Sequence, residues 1–411
     1  MTAMFARRSL ARILCGAACF ASSTSASSQA LDPSVAQELR VGKPRGFAPL
    51  FRLDAGRSGR ASQPVPERPK LLWRQRITGS IDLPAAVDAN GATVVAGASG
   101  IVQLSSTGRI EWLRSLAAIS GPSLTTRGER VVLTGAGELL YFDPAGEIVQ
   151  RVQVASAPLR TDAPLLPLED GGLLVAAGGD VLRLNPGGSV RHVARFNDEV
   201  RALLQTPSAF VITTELGDVH VWSPPQLPRK LGNFAGRVSA GAALLDARRL
   251  VANVDQARIV EFDLRTRARR VRVASPGLQF HGAPAVMRNA ETRILSFEGV
   301  LLGHDWRGQE TLRVPLAGSA GSPDRRPATH FGGAPSLLLD PRGTCAFALP
   351  HAEAGVVTAA GELHVARDAA CQDPVSLVPA GARRMLLACR SGQLFMIGET
   401  ATAPARIPSS R

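Results

Sequence analysis

Gly91-Ala92-Thr93-Val94-Val95-Ala96-Gly97, then Ser99-Gly100-Ile101-Val102-Gln103-Leu104, then Ser106-Thr107-Gly108-Arg109-Ile110-Glu111-Trp112 is the stretch that decides the fold. It reads as three short strands separated by glycine-bearing turns. Glycine supplies the positive φ that tight hairpins require. Pro84, just upstream, opens a further apolar run. Proline is tolerated at a strand's first residue because that position need not donate to the ladder. The unit is therefore four antiparallel strands.

The pattern returns along the chain. Val131-Val132-Leu133-Thr134-Gly135, Gly137 to Asp143 and Ala145-Gly146-Glu147-Ile148-Val149 repeat it, as do Gly172 to Gly178, Asp180 to Asn185 and Gly187 to Val190. Prolines 84, 122, 164, 284 and 335 lead five units; those starting near Val200 and Val238 lack the proline, and the last begins near Pro374. Starts lie about 38 to 50 residues apart, the period of a propeller blade. Trp73 and Trp112 occupy comparable settings, yet no complete unit precedes Trp73. The final unit, through Met385 to Cys389 and Gln393 to Ile397, has three strands and stops. The strand holding Leu72 and Trp73 is expected to complete it. The reading is all-β: an eight-bladed β-propeller of four-stranded antiparallel blades closed by an N-terminal strand, with seven blades as the alternative. Outside the leader, no window of a dozen residues shows a 3.6-residue apolar period free of Gly and Pro.

The ends read differently. Arg7, Arg8 and Arg12 make a basic n-region, Ile13 to Ala21 a short apolar stretch, and Ser27-Ser28-Gln29-Ala30 a small-residue cleavage tract. Residues 1–30 are thus expected to be an export signal, Sec-type or twin-arginine, with an apolar stretch too short to span a bilayer. Cys19 lacks the Leu-like residue expected three places before a lipoprotein cysteine, which disfavours a lipid anchor. Residues 31–68 read as a linker or lead-in, 69–398 as the propeller and 399–411 as a disordered tail. The mature protein is expected to be a monomer, not transmembrane, in the periplasm or associated with the outer membrane or cell surface.

The chain of 411 residues carries Lys+Arg 47 against Asp+Glu 34, for +13. The bases are spread along every repeat and are nearly all arginine, with one local run at Arg265, Arg267, Arg269, Arg270 and Arg272. Nucleic-acid binding needs the charge gathered on a face or stripe, so it is not expected. Weak attraction to anionic lipid or polysaccharide fits better. After leader removal three cysteines remain, Cys345, Cys371 and Cys389. One disulfide among them suits an oxidising compartment; the pairing stays open, and buried free thiols are the alternative.

The unit containing Thr107, Gly108 and Trp112 resembles the pyrroloquinoline-quinone-like (PQQ-like) repeat, whose blades end in a Thr-Gly-Lys-x-x-Trp-like stretch. Arg52 to Arg60 followed by Pro69-Lys70-Leu71-Leu72-Trp73 is similar to the lead-in of bacterial propellers of that family. The likeness covers roughly residues 50 to 398 and is degenerate, with Gln150, His192 and Leu312 standing where Trp112 does. The family holds quinoprotein dehydrogenases and non-catalytic members, among them an outer-membrane assembly lipoprotein. The dehydrogenases imply a vicinal cysteine pair and a Ca²⁺ site; here the three cysteines are isolated. The resemblance therefore implies a non-catalytic protein-binding scaffold of the cell envelope, with no cofactor. The alternatives are a divergent PQQ- and Ca²⁺-dependent oxidoreductase and a polysaccharide-binding propeller.

Histidines 192, 220, 281, 304, 330, 351 and 364 show no HxH, HxxxH or HExxH spacing, so no metal site is expected, although His281 and His304 share one unit. Asp54, Asp143, Asp263 and Asp305 end strands or start turns, where Asp bonds its own backbone. There is no Gly-x-Ser-x-Gly elbow. The segment from Gly318 to Gly333 is longer and more polar than its counterparts, making Ser319, Asp324, Arg325, Arg326 and His330 candidates for a partner-binding loop.

Overall fold

Strand Thr93–Gly97 is buried along its whole length, and its two faces go to different neighbours. Val94 and Ala96 pack with Trp112 against Val132, Leu140 and Phe142 of the following sheet. Val95 packs against Leu386, Leu394 and Met396 from the far end of the chain. Successive side chains on a strand point to opposite faces, so an unbroken apolar run marks a sheet covered on both sides. A sequence made of such runs can bury them only by stacking sheets, and a closed stack needs no end caps.

The computed structural model describes residues 43, 45–49, 52–54, 57–154, 165–280, 282–316 and 336–399. These form eight antiparallel sheets, which we number as blades 1 to 8 from the strand Ala86–Asp88 onward. Blades 1 to 7 begin at Ala86, Ser123, Leu166, Val200, Val238, Ala285 and Ser336, each running outward in chain order through four strands. Blade 1 has a fifth strand, Gly46–Ala48, on its inner edge. Blade 8 takes Pro374–Pro379, Arg384–Cys389 and Gln393–Gly398 from the C-terminal end and Lys70–Arg76 from the N-terminal end. In that pair Leu71 faces Ile397, Trp73 faces Met396 and Arg76 faces Gln393. The closing strand thus lies where the repeat frame put it, and the ring has eight blades.

Inner strands of neighbouring blades touch, including Pro374–Pro379 of blade 8 beside Ala86–Asp88 of blade 1, and between blades 3 and 4 Val200–Gln205 meets the second strand Leu173–Ala177. The core is correspondingly divided into eight apolar layers, one between each pair of blades. Phe210 and Trp222 fill the layer between blades 3 and 4, and Phe234 and Phe262 the one between blades 4 and 5.

The repeat motif has a docking role. Trp73 of blade 8 lies against Gly108 of blade 1, and Trp112 of blade 1 against Gly146 of blade 2: a Cβ on either glycine would come within 2.9 Å or 2.6 Å of the indole. Each indole N–H donates to a carbonyl two residues before that glycine, Trp73 to Ser106 at 3.2 Å and Trp112 to Pro144 at 3.1 Å. Gln150 meets Gly188 and Leu312 meets Gly361 in the same relation. Gln150 and Leu312, standing where Trp112 does, therefore change the size of the contact and keep its place.

Cys371, at the end of the outer strand of blade 7, is bonded to Cys389 in the second strand of blade 8. Cys345 is a buried free thiol whose pKa burial pushes up to about 12. No helix among the described residues is long and apolar enough to cross a membrane.

Candidate functional site

Within its own four strands the inner strand of each blade has an unpaired edge, and an edge exposes donors and acceptors that must find partners. The lead-in supplies backbone partners at the inner strands of blades 1, 2, 6 and 7. Ala48 pairs with Val87 of blade 1. The Pro49 carbonyl accepts from Leu124 N–H of blade 2 at 2.9 Å, and the Ser58 carbonyl from Val286 N–H of blade 6 at 2.8 Å. Leu339 of blade 7 donates to Gly59 and accepts from Ala61. Val65 joins the apolar layer between blades 7 and 8, where Arg383 N–H donates to Pro64. The described residues of the lead-in, 45–49, 52–54 and 57–65, thus run within the ring and bond to its blades.

At the centre stands a charged group. Arg57 is 1% exposed; its guanidinium reaches the carbonyls of Leu165 at the entry to blade 3 and Leu203 in blade 4, both at 3.4 Å. Arg52 donates to the carbonyls of Arg57 at 2.8 Å and of Ala283 and Pro284 at the entry to blade 6. Burial lowers the pKa of Arg57 to about 9 and of Arg52 to about 10, with the charge of Asp54 opposing the fall in both. Both remain cations at neutral pH. Asp54 is spent on its own turn, accepting from Ser58 N–H at 2.9 Å and from the Ser58 hydroxyl. Arg52, Leu53 and Arg57 all take positive φ (55°, 77° and 54°), a strained conformation for residues with a Cβ. Such strain persists where surrounding contacts over-determine it, and here those contacts come from blades 3, 4 and 6.

This donor set does not suit a quinone with Ca²⁺. The central carboxylate is committed to Ser58, the two guanidiniums to backbone carbonyls, and a dication beside two arginines would be repelled. Among the described residues no group of three His, Cys, Asp or Glu converges on a metal-sized site.

Other candidates fall as follows. Ser319, Asp324, Arg325, Arg326 and His330 lie outside the described residues, as does His281. His304 is buried at the end of a blade 6 strand, its pKa lowered first by burial. Asp143, Asp263 and Asp305 each accept backbone N–H bonds from their own turns. Leu72 packs in the layer between blades 8 and 1 beside Trp73. Sequence reading singled out Arg52 to Arg60 but gave it no place in the ring. Its bonds to the blades go to residues more than a hundred positions away, and nothing local signals them.

No protein-family profile matches the chain, and no curated protein matches it by sequence. Solved structures do. The crystal structure of BamB from Moraxella catarrhalis is similar with a TM-score of 0.58 at 16% identity, covering 82% of this chain and 99% of that one. The computationally designed Ika8 protein gives 0.60 at 15% identity, covering 79% and 98%. At such identities the likeness is one of fold. That a natural and a designed protein both share it illustrates how little a propeller prescribes about function.

Proposed function

We propose that this chain is an exported, non-catalytic propeller that serves as a protein-binding scaffold in the cell envelope. The observation that carries the reading is the lead-in bonded into the channel. The centre of the ring is packed with the protein's own Arg52, Asp54 and Arg57, all engaged with backbone or with Ser58. Binding then falls to the outer faces, where turns and loops stand on a rigid eight-layer core. The basic leader and the BamB-like fold agree with an envelope role.

The partner surface in this reading includes the segment 318–333. Expression of a tagged chain in its native host, followed by cross-linking and fractionation, tests the proposal. The expected result is an envelope-fraction protein that begins after the Ala30 tract and cross-links to a discrete protein partner. Deleting 318–333 should remove that cross-link. Retention in the cytoplasm, or reduction of an artificial electron acceptor on adding PQQ and Ca²⁺, would overturn the reading.

A further inference from the structure

In an antiparallel blade, the turn joining the first two strands and the turn joining the last two emerge at the same end. In blades 2, 3 and 7 the second of these turns carries no arginine and no large apolar residue: Asp143-Pro144-Ala145-Gly146-Glu147, Asn185 to Ser189 and Thr358 to Glu362. In blade 1 it holds exposed Arg109, and blade 8, closed by the N-terminal strand, has no such turn. Blades 4, 5 and 6 depart from this together. Their turns present Leu227, 70% exposed, then Arg265 and Arg267, then Trp306, 53% exposed, with the Arg307 guanidinium 4.6 Å over its ring. The first turns of blades 5 and 6 add exposed Arg248 and Arg288 at the same end.

The charge on this arc is cancelled only in part: Asp246 pairs with Arg249, which leaves Asp263 and Asp305 against Arg248, Arg265, Arg267, Arg288 and Arg307. Asp263 is spent on the N–H groups of Arg265 and Thr266, Asp305 on those of Arg307 and Gln309, and Asp246 on those of Arg248 and Arg249 and the Arg249 side chain. The acids cap their own turns and keep their charge there, while Arg265, Arg267 and Arg288 are exposed and Arg307 lies over Trp306. Among the described residues, Arg248, Arg265, Arg267, Arg288 and Arg307 have no carboxylate within ion-pair distance. The ring sets the Arg265–Arg267 run beside Arg248, Arg288 and Arg307 on one arc of that face; exposed Arg109 and Arg127 of blades 1 and 2 also stand on the face, away from the arc.

We propose that this arc of turn tips, Leu227, Arg265, Arg267 and Trp306 with Arg307, is a docking surface for an anionic phospholipid bilayer. Tips of equivalent turns on consecutive blades lie along one face, which suits a flat partner more than a single strand or a peptide groove. Bases at such a surface bind anionic headgroups and are screened by salt. A tryptophan settles at the headgroup boundary, with its ring in the apolar layer and its N–H near water. An exposed leucine flanking the charges adds apolar area that a polyphosphate strand would leave in water. The proposal concerns lipid chemistry alone and stands apart from the protein-scaffold reading.

The test is co-sedimentation of the purified full-length chain with vesicles of mixed phosphatidylglycerol and phosphatidylcholine, against phosphatidylcholine alone. The segment before the ring is common to every variant, so differences between variants report the arc. Charge reversal by R265E/R267E is expected to weaken binding to the anionic vesicles about tenfold or more. W306A should weaken it about threefold and abolish quenching of Trp306 by brominated lipid, and R265K/R267K should bind as wild type. R151E/R367E makes the same charge change on the exposed outer strands of blades 2 and 7 and should leave binding nearly intact. Thermal melts equal to wild type show that the exposed changes leave the ring folded. Equal losses in R265E/R267E and R151E/R367E would overturn the proposal by reducing it to net charge. So would vesicle binding unchanged in R265E/R267E, or tighter binding of a single-stranded oligonucleotide or acidic polysaccharide than of vesicles through these residues.

Discussion

The indole of Trp112 lies on Gly146 of the next blade and donates its N–H to the Pro144 carbonyl at 3.1 Å. Gly146 has φ +83°, and a Cβ there would sit 2.6 Å from the ring. Trp112→Ala should cost about 3–5 kcal/mol, as for other buried aromatic truncations. Gly146→Ala should destabilise more than Gly128→Ala, which shares the φ of +83° but has nothing within 4 Å. The Gly128 variant isolates the left-handed backbone cost of about 1–2 kcal/mol. Urea unfolding of the three variants checks the ordering; equal losses at both glycines would mean that the indole yields freely.

Arg57 should be structural and expensive to truncate. Arg57→Ala removes a buried donor to Leu165 and Leu203 and leaves a hole at the channel centre, for a loss of about 3 kcal/mol. Arg57→Met fills most of the space and removes a buried charge, so it should cost less. Chemical unfolding compares the two, and a neutral Arg57→Ala would contradict the packed channel.

Reducing the Cys371–Cys389 bond frees a loop of separation 18, worth about 3 kcal/mol by chain entropy. Cys371→Ala with Cys389→Ala should reproduce the stability of the reduced protein. Among the described residues, the native, oxidised protein should show no reactive thiol, because Cys345 is buried and its thiol is held in the protonated form. Thiol labelling before and after unfolding among residues 345–389 reads this directly.

Acid should weaken the fold in two separate windows. Burial, the largest cause, holds the folded pKa of His304 below 6.5; Glu310 opposes the fall and Arg272, Arg293 and Arg313 add to it. The unfolded state then takes up the proton first, and stability falls as pH drops from about 6.5 toward the lowered value. His220, also lowered by burial, adds to the same window. Asp218, Asp263 and Glu310 have lowered pKa values and lose their contribution only as pH falls below the ordinary carboxylate range. His304→Phe should flatten the stability profile between pH 7 and about 5 while leaving the lower window in place. Thermal melts across pH give the slope.

The sequence by itself determined the ring. Runs such as Thr93–Gly97 and Leu173–Ala177 are apolar on both faces, glycines fall at fixed offsets, and a lone strand at Trp73 precedes a unit that lacks one. Those are local facts with period 2 and a blade-length repeat, so they survive degeneration of the motif from Trp112 to Gln150. Tertiary structure alone decided three things: the place of Arg52 to Arg60, the choice of Cys371 and Cys389 over Cys345, and the gathering of arginines beside Trp306. Each depends on which distant residues the closed ring brings within a few ångströms. An inner edge needing donors, two sulfurs at neighbouring blades and an arc of turn tips exist only once the eight sheets are stacked.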